Sequence, residues 1–95
     1  MLNLTIDNLK NCFQAAELEK ANFIGVKIEM AGFKKPEIII NSKSNFKSKF
    51  EYYSKSYNED LTLKTFNGIR IIGFTYGNSF DEIEDDLLGD NYDDL

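Results

Sequence analysis

Histidine and tryptophan are absent from the 95-residue chain, and cysteine and proline occur once each. Without histidine the chain lacks the commonest general base and the commonest metal ligand. A Ser-His or Cys-His nucleophilic pair cannot be assembled. Four nitrogen or sulfur ligands for a structural zinc ion are equally out of reach. Cys12, being alone, cannot form an internal disulfide, so nothing calls for an oxidising compartment. Beside Phe13 on a helical stretch it reads as a small buried or half-buried thiol. The glycines Gly25, Gly32, Gly68, Gly73, Gly77 and Gly89 are scattered, and no phosphate-loop pattern can be drawn through them. The acidic C-terminal stretch misplaces the glycine and closing glutamate of a calcium loop. A carboxylate-pair hydrolase would need a preorganised pair, which a frayed acidic tail does not supply. Apolar runs are short, Ile38-Ile39-Ile40 being typical, against the roughly 20 residues that span a bilayer. The first residues lack the basic start and apolar run of a signal peptide. These absences lead us to expect a soluble cytoplasmic protein that is not an enzyme, holds no metal or cofactor and has no membrane partner.

What is present is enough to build a core. Hydrophobic residues make up 42% of the chain and aromatics 14%, too many for a disordered segment. The length allows one domain. We expect a single α+β domain over residues 1–89 and a flexible acidic tail over 90–95.

Periodicity supplies the elements. Ile6, Leu9, Phe13 and Ala16 lie on one face of a helix over residues 5–21, with Thr5 as N-cap and the end near Asn22. Ile24, Val26, Ile28 and Met30 alternate with Gly25, Lys27 and Glu29, which predicts a strand with one wet face. A turn over residues 31–36 and a second strand over 37–41 complete an antiparallel pair. Phe46, Phe50, Tyr53 and Tyr57 stripe a helix over residues 44–58 that Ser44 or Ser42 can cap. Such a stripe is either a core face or an exposed platform for bases; as a core face, Phe50→Ala should cost roughly 3–5 kcal/mol. Asn67-Gly68 signals a type I′ hairpin between a short strand at 61–65 and a strand at 69–76, although the preceding helix could also run on to Gly68. Ser79 and Glu82 form a capping box ahead of a short helix whose apolar face is Phe80, Ile83 and Leu87, closed by Gly89. The fold expected is a small antiparallel sheet of three to four strands with helices packed on one face, in the order α-β-β-α-(β)-β-α.

Charge is divided sharply along the chain. Asp81, Glu82, Glu84, Asp85, Asp86, Asp90, Asp93 and Asp94 fall within residues 81–95, with no basic residue among them. The other eight acidic and all eleven basic residues lie in 1–80, so a body of about +3 precedes a segment of −8. Three readings follow. The segment is a solvated, solubilising face. Alternatively, its carboxylates mimic a phosphate backbone and occupy the basic groove of a nucleic-acid-binding protein. Or it folds over the lysines at 34, 35, 43, 47, 49 and 55 and masks them. On the second reading all eight carboxylates form the partner-binding site, the partner is a protein, and the intact chain does not itself bind nucleic acid.

Residues 57–80, YNEDLTLKTFNGIRIIGFTYGNSF, resemble small proteins of phages and prophages of low-GC Gram-positive bacteria, as does the richness in Asn, Lys, Ile and Phe. The resemblance covers about the last two thirds of the chain. It implies a phage accessory or counter-defence protein, of which anti-CRISPR proteins are one class: small, often acidic inhibitors of nucleases. The alternative is a phage structural or assembly protein, or a small homodimer.

Overall fold

The computed structural model describes residues 4–88. Gly89 and the tail expected at 90–95, with Asp90, Asp93 and Asp94, lie outside the described residues. The chain is α+β, in the expected order: α1 (Ile6–Leu18), β1 (Phe23–Met30), β2 (Glu37–Ser42), a turn of 3-10 helix (Lys43–Asn45), α2 (Phe46–Ser56), β3 (Thr62–Leu63), β4 (Phe66–Gly77) and α3 (Phe80–Leu88). The strands form one antiparallel sheet in the order β2-β1-β4-β3. Since β2 and β3 lie at opposite edges, α2 carries the chain across the whole sheet.

Helices cover both faces of the sheet, not one. Ile24, Val26 and Ile28 of β1 join Leu9, Phe13 and Ala16 of α1 and Phe46, Tyr53 and Tyr57 around α2 in the main core. The aromatic stripe of α2 is therefore a core face. Of the residues of opposite parity on β1, Glu29 faces water as expected, but its neighbours do not. Gly25 and Lys27 are buried, because α3 lies across them. Cross-strand partners share a face, so Thr75 and Gly73, opposite Gly25 and Lys27, lie under α3 as well. A bulge after Gly73 skips Ile72, and the extra residue keeps Ile71 and Phe74, three apart, on the same core face.

Several local expectations are corrected by hydrogen bonding. Asn67 and Gly68 are not the hairpin turn: Leu63 pairs with Phe66, so Lys64 and Thr65 turn the chain. A type I′ turn needs positive φ at both central residues, and neither Asn67 nor Gly68 has it. Gly68 instead sits within β4, where the Phe66 ring and Ala31 leave no room for a side chain and its carbonyl accepts from the Ala31 amide at 2.7 Å. Neither Ser42 nor Ser44 caps α2; their hydroxyls bond each other at 3.0 Å. Thr5 does cap α1, accepting from the Asn8 amide at 3.1 Å. Before β3, the Asp60 carboxylate accepts from the Thr62 hydroxyl and amide, which holds its pKa below the ordinary value.

α1 ends at Leu18, with Glu19 as C-cap, short of the end expected near Asn22. The Ala21 amide donates to Ala16 O at 2.9 Å and the Lys20 amide to Glu17 O at 3.2 Å, the paired bonds of a Schellman motif. Its pivot, Lys20, has φ +57, a conformation that favours glycine. Lys20→Gly should therefore stabilise the fold by about 0.5–1 kcal/mol, read as a rise in the urea midpoint at constant slope. A lowered midpoint would mean that the lysine stem contributes packing that outweighs the backbone strain.

Candidate functional site: the acidic helix

α3 is nine residues long and carries no basic side chain. Its buried face and Lys27 fix it to the sheet, and a serine caps its start. Ile83 and Leu87 are buried, and they rest where Gly25 and Gly73 present no side chain. A Cβ on Gly25 would collide with the Cγ2 methyl of Ile83 and lie 3.2 Å from Leu87 Cδ1, so the helix approaches the backbone of β1 itself. At the N-terminus, Ser79 Oγ accepts from the Glu82 amide at 3.1 Å. This is one half of the expected capping box; the Glu82 carboxylate turns to Gly77, leaving only 2.6 Å between its Oε1 and the place a Cβ there would take. At the C-terminus, buried Lys27 Nζ donates to Leu87 O at 2.9 Å. A helix C-terminus carries negative partial charge and favours a cation, which α3 does not supply from its own last turn. Lys27 supplies it from β1.

The carboxylates distribute around this anchored helix by its 100° step per residue. With Ile83 and Leu87 facing the sheet, Asp81 and Asp85 fall opposite, on the solvent side, and Glu84 on a flank. All are exposed. Glu82 and Asp86 fall on the other flank, toward β4. Asp86 accepts a short hydrogen bond from the Thr75 hydroxyl, and with Glu82, Asp85 and Tyr76 it borders a shallow depression. Asp86 is thus tied to the sheet and is not directed outward with Asp81 and Asp85. Phe80, expected on the buried face, is 55% exposed, with its ring edge-on to Phe23 at 5.0 Å.

The described acidic residues do not cover the lysines of α2, because α3 and α2 lie on opposite faces of the sheet. This layering keeps residues 81–88 from masking Lys47, Lys49 and Lys55. Among the described residues, no three His, Cys, Asp or Glu side chains come together in a way that could hold a metal ion. Burial pushes the Cys12 thiol up to about 12, which keeps it protonated at neutral pH. No helix among the described residues is long and apolar enough to cross a membrane.

Sequence reasoning placed the acidic helix but missed the residues that hold it. Alternation places Gly25 and Lys27 on a wet face, and the pattern points to no role for Gly73 or Thr75. The signal available was the pair of glycines inside strands, which marks close approach of another backbone or helix. Comparison with protein-family models, with curated proteins and with solved structures finds no match for the chain.

Proposed function

We propose that the chain is a non-catalytic binding protein whose acidic C-terminal helix occupies the basic groove of a nucleic-acid-handling protein and inhibits it. The observation that supports this most is the docking of α3. Asp81, Glu84 and Asp85 project from a helix held at its face and its C-terminal end and capped at its start, so they form a preordered array. A preordered array loses less entropy on binding than a flexible one. Asp81 and Asp85 are separated by about 6 Å along the helix axis. That is close to two axial steps of a phosphate strand, at about 3.4 Å each. A helix needed only for solubility would not require a cap, a glycine-lined seat and a buried lysine at its end. The resemblance to phage proteins extends the proposal to a counter-defence inhibitor of the anti-CRISPR kind, acting in the host cytoplasm on a protein that binds DNA or RNA.

Charge reversal of Asp81, Glu84 and Asp85 to lysine together tests this. Immobilised chain should retain basic nucleic-acid-binding proteins from a bacterial lysate, and added duplex DNA should compete them off. The triple variant should lose about a hundredfold or more in affinity for the retained protein, with the salt dependence reduced. Its melting temperature should change little, since the three side chains face solvent. Unchanged affinity and salt dependence would reduce α3 to a solvated face.

A second reading has one observation in its favour. Phe33 and Phe66 are 67% and 54% exposed at the same end of the sheet, beside a depression lined by Gly32, Asn67 and Arg70. Exposed rings at one end suit an assembly contact. Retention that survives high salt and is lost in Phe33→Ser/Phe66→Ser would favour it.

A further inference from the structure

Among the described residues, a concavity lies on the other side of the sheet from α3, where the end of α1 meets the start of α2. Its volume is about 530 Å³, and its wall is built from Lys20, Lys43, Lys47, Ser44 and Glu17 over a floor of Ala16, Ala21 and Phe46. Lys20, Lys43 and Lys47 are exposed, and among the described residues none of them forms an ion pair; the one described pair joins Arg70 to Glu29 at 3.6 Å. Three cations thus border one hollow with a single carboxylate beside them.

Two further features favour an anion there. The carbonyls at the end of α1 would repel negative charge if free, but those of Ala15, Ala16 and Glu17 are already taken by the amides of Glu19, Ala21 and Lys20. The start of the 11-residue α2 adds the positive end of a helix dipole on the opposite wall.

We propose that this hollow is a binding site for a small phosphomonoester. Three lysines offset by Glu17 leave a charge of about +2, which matches a phosphate dianion. The hollow is larger than one phosphate group needs and falls in the range of small-molecule sites, about 300–1,000 Å³. Its apolar floor of Ala16, Ala21 and Phe46 takes the organic part of the ligand, while Lys20, Lys43 and Lys47 take the phosphate as point charges. The site is independent of the acidic helix, from which the sheet separates it.

Amide shifts in nitrogen-15 NMR, with phenyl phosphate and inorganic phosphate as probes, test the assignment. Phenyl phosphate should saturate, moving the amides of Lys20, Ala21 and residues 43–47, and should bind tighter than inorganic phosphate. Lys43→Gln/Lys47→Gln should weaken it about tenfold or more while leaving the melting temperature unchanged. Three outcomes would overturn the assignment: shifts that do not saturate, shifts equally strong in the double variant, or a single-stranded oligonucleotide that outcompetes phenyl phosphate and spreads the shifts to Lys49 and Lys55. The last would make the region a nucleic-acid surface. None of these readouts depends on Asp81, Glu84 or Asp85, so failure here leaves the proposal for α3 standing, and the converse.

Discussion

Gly25→Ala should destabilise the fold by about 2 kcal/mol and loosen α3 selectively. The added methyl would lie on Ile83 Cγ2, and this is the branch of a β-branched side chain fixed at 0% exposure, not a flexible end that can swing away. Forcing a methyl into a packed contact typically costs 1–3 kcal/mol. The usual advantage of alanine over glycine in a strand, about 0.5–1 kcal/mol, offsets part of that, so the upper end of the range applies to the strain itself. For a domain of this size the result is a melting temperature lower by roughly 10 °C or more. Hydrogen exchange should quicken in α3 and stay slow in β1 and α1, because the main core lies on the opposite face. Ile83→Ala in the same chain should recover at least about 1 kcal/mol relative to the sum of the single changes, the coupling expected of residues in contact. If the proposed function holds, Gly25→Ala also weakens partner binding without touching a carboxylate. A stability change under about 0.5 kcal/mol with α3 exchange unaltered would mean that the helix is not seated on β1.

Phe13→Ala should cost about 3–5 kcal/mol, the usual range for emptying a buried phenylalanine site. Phe13 is 3% exposed, and its ring is the meeting point of the α2 stripe. It lies 5.8 Å edge-on from Phe46, 5.5 Å from Phe50 and 6.3 Å from Tyr53, all within the range of favourable aromatic pairs. A single truncation therefore removes one ring and three ring contacts. Phe50 is only partly buried, so Phe50→Ala should fall below the range expected for it from sequence, at about 1–2 kcal/mol. Urea melts of the two variants at equal slope measure the difference. Equal losses would mean that Phe50, not Phe13, organises the cluster. A domain with a total stability of about 5–15 kcal/mol can lose its native state altogether on Phe13→Ala. Phe13→Leu, which keeps most of the volume, should then fold with a smaller loss.

The sequence by itself determined which elements form and which side of each is apolar. The periods of 3.6 and 2 are local properties, and they marked the faces of α1, β1 and α2 correctly. It also determined the segregation of carboxylates, since no folding can place a basic residue within 81–95. Tertiary structure alone decided what covers each face. The alternation in β1 named Ile24, Val26 and Ile28 as apolar but left Gly25 and Lys27 looking wet, because an absent side chain and a long cationic stem both read as exposure. They become buried only when α3, some sixty residues on, uses the glycine as a seat and the lysine as its C-terminal cation. The turn residues show the same limit. Asn67-Gly68 has hairpin chemistry, yet the Ala31 amide, from the turn after β1, holds the Gly68 carbonyl within β4, and the turn falls at Lys64-Thr65. Lys43 and Lys47 belong to one lysine-rich stretch, but nothing in the sequence joins Lys20 to them. The contact between the end of α1 and the start of α2 brings them around one hollow, and packing between distant elements is not written in the local period of any of them.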